Sequence, residues 1–463
     1  MKNNILSKIL TSTYQWIQYQ KKNIPLLSFE KKIEKSRISF KDHLKKNHPA
    51  FILECKQSSP SNGIINKKFN ISKIINVYDK YADIISVITE EKFFHGNFEY
   101  LLQARENTKK PLLCKDFFID PYQIYYARYH KANAILLMLS ILDDATYMKL
   151  SNIAKQMHLG VLTEINNIEE LKRALALNAE VIGINNRNLK DLSVDIHKTK
   201  KIAQLIPKDR IIICESGITS YTDVRDLSKV VDGFLIGSHL MKSKNLESAT
   251  RSIIYGENKI CGLKNPLEAQ YAEKYGCVYG GLNFIPKSPR YIYNQEAKEI
   301  VTYTKLKYIG IFRNESHQYI LNKVDQFNLY AVQLHGTEDD IFIKKLKRIL
   351  PKSVRIWKAI SMKKDTVIKT NSNINRYLLD NQAGGTGQTF DWRLIKTFKI
   401  ADMMLAGGLN LKNSFLASTL GFRGLDFNTG LELSPGRKDP KKIKSIFRIL
   451  RFYKKNKKLL HLL

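Results

Sequence analysis

The chain has 463 residues, too many for one ordinary domain and enough for two that each bury a core. Hydrophobic residues make up 43% and charged residues 26%, a globular composition without any run near the ~20 apolar residues of a membrane-spanning helix. The formal net charge is +33, but the lysines are spread along the whole chain and form no basic stripe interleaved with aromatics, so the charge reads as solvated surface that anionic substrates can use rather than as a nucleic-acid footprint.

In chain order, the opening MKNNILSKILTSTYQWIQYQKK is too polar for a secretory signal and reads as a helical extension. Short β-branched runs follow, each trailed by a stretch of helical period: AFILECK (50–56), ISVIT (85–89), PLLCKD (111–116), AILLML (134–139), GVLTE (160–164), VIGINN (181–186), IIICES (211–216) and GFLIGS (233–238). Such alternation without tight hairpin signals predicts parallel strands in βα units, and roughly eight of them predict a closed barrel. After YGEN (255–258) the pattern restarts with KICGL (259–263), YGGLNF (279–284), YIGIF (308–312), AVQLHG (331–336), IWKAI (356–360), RYLLD (376–380), DMMLAGG (402–408) and GLDFN (424–428). The expected fold is α/β, two tandem (β/α)8 TIM barrels spanning 1–256 and 257–463, the first with an N-terminal helical extension. Five cysteines, odd in number and without metal-ligand spacing, fit a reducing cytoplasm; Cys55, Cys114 and Cys214 lie in apolar runs and read as buried structural thiols.

Barrel enzymes gather their reacting groups at the C-terminal ends of the strands. In the first set those ends carry Glu54, Lys56, Lys115, Glu164, Asn185, Glu215 and Ser238. Glu54 and Lys56, two residues apart, share one face of a strand just before a Ser-Pro turn. Any one of these charges alone could be a salt bridge or a helix cap. Two lysines and three carboxylates at one barrel mouth are costly to bury together without a ligand, and such crowding shifts pKa values as proton transfer requires. In the second set the ends carry Cys261, Asn283, His335, Asp380, Gly407, Gly408 and Asn428. Cys261 and Asp380 stand roughly across the mouth, a thiol and a carboxyl suited to paired proton abstraction and donation; the alternative is a small buried thiol and a helix-capping Asp. Glycines in ESGI (215–218) and IGSHL (236–240), and again in GGTGQTFDW (384–392), AGGLN (406–410) and DFNTG (426–430), let backbone N–H groups approach an anion. Their recurrence at equivalent barrel positions argues for two phosphorylated ligands.

These residues carry a resemblance. ECKQSSPS, CKDFFIDPYQI, LTE, GINNRNL, ESGI and IGS resemble indole-3-glycerol-phosphate synthase. KICGL, YGGLNF with SPR, VQLHG, LLDNQAGGTGQTFDW, AGGL and LDFNTGLELSPGRKD resemble phosphoribosylanthranilate isomerase, and nearly the whole chain is similar to the fused bacterial form. The resemblance implies an isomerase that makes 1-(2-carboxyphenylamino)-1-deoxyribulose 5-phosphate by Amadori rearrangement and a lyase that decarboxylates, cyclises and dehydrates it to indole-3-glycerol phosphate, both in tryptophan biosynthesis. By motif position it implies Lys115 as general acid at the substrate carbonyl and Glu164 as its acid/base counterpart. Glu54 and Lys56 would assist ring closure and loss of water, and Asn185, Arg187 and Glu215 would orient the ring and hydroxyls. Ser59, Ser61, Ser216, Gly217, Gly237 and Ser238 would line substrate and phosphate. In the second half Asp380 would protonate the ribose ring oxygen, Cys261 would take the C2 proton, and Arg290 would pair with the anthranilate carboxylate. Gly384, Gly385, Gly407, Gly408, Asn428 and Thr429 would surround the second substrate and its phosphate.

There are departures from the family pattern. Lys264 and Glu268 stand where Thr and Asp are usual, and Thr386 and Thr429 where Ser is common. The threonines keep the hydroxyl, whereas Lys264, close to Cys261 in sequence, is able to change loop geometry or the thiol pKa. Two other readings compete. Barrels for other phosphosugars, such as the Amadori intermediates of histidine synthesis, use paired aspartates where this chain offers Cys261 with Asp380. A basic RNA-binding protein on an inactive scaffold would not need the polar ring. The expected partners are phosphorylated small molecules, with no cofactor, metal, nucleic acid or membrane, in a cytoplasmic monomer.

Overall fold

The computed structural model describes residues 5–188, 191–381 and 387–453. Their strands close into two parallel barrels of eight strands each, one in each half of the chain. In the first, Ala50–Cys55 pairs with Ile84–Ile88 on one side and with Gly233–Ile236 on the other, so the sheet has no edge. Leu112–Lys115, Ala134–Met138, Gly160–Ile165, Val181–Asn185 and Ile211–Glu215 complete the ring in sequence order. Most of these strands are buried from end to end, as continuous Ile, Leu and Val runs require when helices cover the outside. The helices start where short polar side chains accept backbone N–H groups. Asn70 caps Ile71–Tyr81, Asp143 caps Asp144–Gln156, and Asp120 caps Pro121–Tyr129 in a capping box with Gln123.

The inward-pointing side chains explain where the polar ring comes from. Ile52, Leu113, Leu162 and Ile213 belong to one apolar cluster of the first barrel. Two residues further along each strand the side chain points the same way again, and there stand Glu54, Lys115, Glu164 and Glu215. Phe40 belongs to the same cluster and packs so closely on Gly160 that a Cβ there would lie 2.5 Å from its Cβ. The expected extension is the helix Ile5–Asn23, and its Ile9 joins this cluster as well.

The second barrel runs through Lys259–Ile260, Tyr279–Asn283, Lys307–Phe312, Ala331–Leu334, Arg355–Ser361, Arg376–Asp380, Met404–Leu405 and Gly424–Phe427, and closes by pairing the last with the first. Tyr279, Ile309, Ala331, Trp357, Leu378 and Met404 form its inner cluster. Unlike the first barrel, it also buries charge at this depth, since Lys259 and Asp426 are paired across the first and last strands at 2.7 Å. Among the described residues no helix is long and apolar enough to cross a membrane.

Candidate active sites

At the mouth of the first barrel the side chains expected from sequence converge. Lys115 Nζ lies 3.1 Å from Glu215 Oε2 and 3.4 Å from Glu54 Oε2, and Lys56 Nζ lies 2.6 Å from Glu54 Oε1. Asn185 Nδ2 donates to Glu164 Oε1 at 3.0 Å, and Asn185 Oδ1 accepts from Arg187 N at 2.9 Å. Two glycines permit this crowding: a Cβ at Gly237 would fall 2.2 Å from Glu54 Oε1, and one at Gly183 would fall 2.1 Å from Glu215 Oε1.

Burial works against charge on Glu54, Lys115, Glu164 and Glu215, and the lysines decide which carboxylates stay ionised. Glu54, which burial alone would raise, is held down to about 2 by Lys56 and Lys115. Glu164 is pushed up to about 7 by burial and by the charge of Glu215, with Lys115 and Asn185 opposing. Glu215 is raised by burial in spite of Lys115. Burial would lower Lys115, but Glu215, Glu54 and Glu164 together raise it, so it remains an ammonium. The cluster therefore holds a fixed proton donor beside a carboxyl, Glu164, that exchanges its proton near neutral pH. Glu215 Oε1 is buried beside Gly183 without a hydrogen-bond partner among the described residues, and Glu215 is not among the residues lining the pocket.

Ser59, Ser61, Arg187, Ser216 and Ser238 line the same pocket; Gly217 and Gly237 are not among its lining residues. Asn62 Nδ2 donates to the hydroxyls of Ser59 and Ser61 at 3.2 and 2.9 Å, and its Oδ1 accepts from Lys242 Nζ at 2.6 Å. That chain ties the loop after the first strand to the segment after the eighth. Arg187 Nη1 is turned onto Leu192 O at 2.8 Å. The sequence reading missed the apolar side of the pocket. Phe94 and Phe117, with rings 6.1 Å apart, line it together with Ile5, Leu6 and Ile9 of the N-terminal helix. It also missed Asp116, one residue past Lys115, which burial pushes up to about 7 and which accepts from Phe117 N at 2.8 Å.

In the second barrel Cys261, directly after the first strand, and Asp380, at the end of the sixth, both line the cavity at the mouth. Burial pushes Asp380 up to about 6, with the Asn381 N–H, donating at 2.8 Å, and Lys259 pulling the other way. Gly407 and Gly408 turn at φ 83° and 62°, where a side chain is strained, and a Cβ on Gly407 would stand 3.0 Å from Asp380 Oδ1. Asn428 and Thr429 line the cavity; Asn428 Oδ1 accepts from Lys438 Nζ at 2.7 Å. Gly384, Gly385 and Thr386 lie outside the described residues.

Arg290, assigned by resemblance to a substrate carboxylate, here holds a carboxylate of the protein. Its Nε and Nη2 fork onto Glu432, both at 2.8 Å, and Nη2 also donates to Thr429 Oγ1 at 3.1 Å. The leading charges on Cys261 are Lys259, Asp426 and Lys438, and Lys264 is not one of them. Glu268 accepts from Lys264 N at 3.0 Å and from Lys438 N at 2.9 Å, which fastens the loop beyond Cys261 to the hairpin Glu432–Ser434 with Arg437–Lys438. His335, noted only as a strand end, is lowered to about 3 by burial and by Lys259, Lys358 and Arg313, so its imidazole is neutral.

Comparison with known proteins agrees barrel by barrel. Residues 6–253 match the family model for indole-3-glycerol phosphate synthase, and residues 258–448 match that for N-(5'-phosphoribosyl)anthranilate (PRA) isomerase. The tryptophan biosynthesis protein TrpCF of Buchnera aphidicola subsp. Acyrthosiphon pisum (strain APS) is 52% identical, aligning over 98% of this chain and 100% of its own. Its namesake in Vibrio cholerae serotype O1 is 47% identical over 97% and 96%, and that of Salmonella typhi is 44% identical over 97% and 99%. With one family model on each barrel and relatives aligned from end to end, the chain belongs to the bifunctional tryptophan-biosynthesis enzymes, its N-terminal domain an indole-3-glycerol phosphate synthase and its C-terminal domain a phosphoribosylanthranilate isomerase.

Proposed function

We propose the following division of labour for the two reactions. In the C-terminal barrel Asp380 gives its proton to the ribose ring oxygen of N-(5'-phosphoribosyl)anthranilate as the C1–O bond breaks and the imine forms. Cys261, as thiolate, removes the C2 proton; the electron pair moves to nitrogen, and the enol tautomerises to 1-(2-carboxyphenylamino)-1-deoxyribulose 5-phosphate. In the N-terminal barrel Lys115 protonates the C2 carbonyl oxygen of that product while the ring carbon bearing the carboxylate attacks. Carbon dioxide leaves, and Glu164 serves the dehydration that completes the indole, with Glu54 and Lys56 assisting. Asn185, Arg187 and Glu215 orient the ring and hydroxyls. The serines at 59, 61, 216 and 238, with Gly217 and Gly237 in the turns beside them, grip substrate and phosphate. In the isomerase the glycines at 384, 385, 407 and 408, with Asn428 and Thr429, do the same, and Arg290 faces the anthranilate carboxylate.

The observation that carries this reading is the placement of the Lys115 ammonium between Glu54 and Glu215, 3.4 and 3.1 Å away, beside a Glu164 carboxyl at about 7. We further propose that residues 1–256 and 257–463 are the two working units, that the protein acts as a cytoplasmic monomer on free phosphorylated metabolites, and that nucleic acid is not a partner. The test is to add phosphoribosylanthranilate to the purified chain and follow anthranilate fluorescence together with indole absorbance. Fluorescence should fall and indole absorbance rise; if neither changes, the assignment is overturned.

A further inference from the structure

The ion pair beneath the isomerase mouth has no place in the steps assigned above. Lys259 is fully buried, Asp426 is 8% exposed, and their charged atoms lie 2.7 Å apart. A buried ion pair is weak evidence for stability, because desolvation consumes most of the attraction. Its surroundings connect it to the thiol. Residues two apart on a strand share a face, so Lys259 and Cys261 enter the barrel on the same side, and the charge of each acts on the other. Gly281, on the neighbouring strand, leaves the space for this: a Cβ there would stand 3.0 Å from both Cys261 Sγ and Lys259 Cε. Asp426 holds Lys259 through Oδ2, while its Oδ1 is buried without a hydrogen-bond partner among the described residues; Asp426 and Cys261 line the same cavity.

A buried thiol is a poor base: burial pushes Cys261 up, and among the surrounding charges Lys259 opposes this most. We propose that Lys259 is a positioning residue for the isomerase, holding Cys261 as the thiolate that takes the substrate proton, with Asp426 anchoring the ammonium. This rests on Cys261 being the base. Lys259 itself stays protonated throughout, because Asp426 and Cys261 offset the effect of its burial. When Sγ accepts the C2 proton, the ammonium keeps Asp426 as its partner, so no proton need leave the pair. The other groups facing this site come from several elements. Lys438 on the hairpin favours the thiolate, and Asp426 on the last strand disfavours it. Arg290 beyond the second strand interacts with Cys261, while Asp380 on the sixth strand and His335 beyond the fourth line the cavity, the imidazole neutral.

The test is the ultraviolet absorbance of the thiolate, titrated against pH in the full chain with Cys261→Ser as the blank, so that the other cysteines cancel. Lys259→Met should move the midpoint up by roughly 1–3 pH units, the usual effect of removing a neighbouring opposite charge. Isomerase turnover at neutral pH should fall and recover as pH is raised. Lost turnover with an unmoved midpoint would make Lys259 a packing element and overturn the proposal. Should Lys259→Met fail to fold, Asp426→Asn decides, because it keeps Lys259 and an acceptor for it while removing a negative charge that disfavours the thiolate. Its midpoint should fall, and a midpoint that stays or rises overturns the proposal. Neither titration depends on turnover; a wrong choice of base shows separately, as isomerase activity surviving in Cys261→Ser.

Discussion

In the synthase barrel the buried charges stand in the top layer, where Lys115 touches Glu54 and Glu215 and Lys56 touches Glu54. In the isomerase barrel the fully buried Lys259 is paired with Asp426 one layer deeper, and the mouth above it carries a thiol and a carboxyl, Asp380, that has no ion-pair partner among the described residues. The difference follows from what each site has to keep charged. Three carboxylates crowded together can share two ammonium ions, and the sharing is unequal: Glu54 is driven down to about 2 while Glu164 rises to about 7. One carboxyl standing apart, Asp380, is governed by burial and rises to about 6. The same scaffold thus reaches an acid near neutrality in both barrels with burial as the leading cause, joined at Glu164 by repulsion from Glu215 and at Asp380 by repulsion from Asp426.

That contrast can be broken most sharply at Lys115. Lys115→Met removes the donor and also leaves Glu54 and Glu215 without their common cation, so synthase kcat should fall by roughly 10³-fold or more with KM little changed, and isomerase turnover should stay as it was. A change confined to KM would make Lys115 a binding group. Asp380→Asn, acting on the site with fewer charges, should cost the isomerase on the order of 10²-fold and leave synthase activity on pre-formed carboxyphenylamino-deoxyribulose phosphate intact. Full isomerase activity in that variant would exclude the assigned role.

A smaller and opposite effect is expected on stability. Glu164 has a folded-state value raised to about 7 against an ordinary carboxylate value of ~4.3, so the folded chain binds more protons than the unfolded one between these pH values, and stability falls as pH rises through that window. Glu164→Gln should therefore raise the melting temperature of the first barrel by a few °C at about pH 8, with no gain at about pH 4, while dehydration is lost. Melting curves at the two pH values check this, and a gain equal at both would assign it to packing. The smallest kinetic effect should come from cutting the chain. Residues 1–256 and 257–463, expressed apart, should each keep their own turnover within a factor of about 2, because each site is lined only by residues of its own half and groups that share no partners behave independently. A folded half that is inactive alone and regains activity only on mixing would show that the sites share residues.

Much of this was legible from residue order. Alternation of side chains along a strand places Glu54 above Ile52 and Glu164 above Leu162, so the polar ring follows from where each apolar run ends. The ranges expected for the strands agree with those observed to within a few residues, RYLLD at Arg376–Asp380 on both ends. Lys259 and Asp426 were passed over because each opens or interrupts an apolar run and reads locally as a solvated charge; only closure of the barrel, which pairs the last strand with the first, brings them together. Ile5, Leu6 and Ile9 were missed for a related reason, since nothing in a polar N-terminal helix says which strand ends it will cover.

Local order was sufficient for the two barrels, their polar mouths and the pairing of Glu54 with Lys56, because a period of two and the direction of a βα unit are properties of neighbouring residues. The tertiary structure alone decided the partners. It turned Arg290 onto Glu432, 142 positions away, and set Lys115 against Glu215, 100 positions away. It also made Glu164 rather than Glu54 the carboxyl that titrates near neutrality. Those outcomes depend on distance and burial, which act through space between residues that the chain keeps far apart.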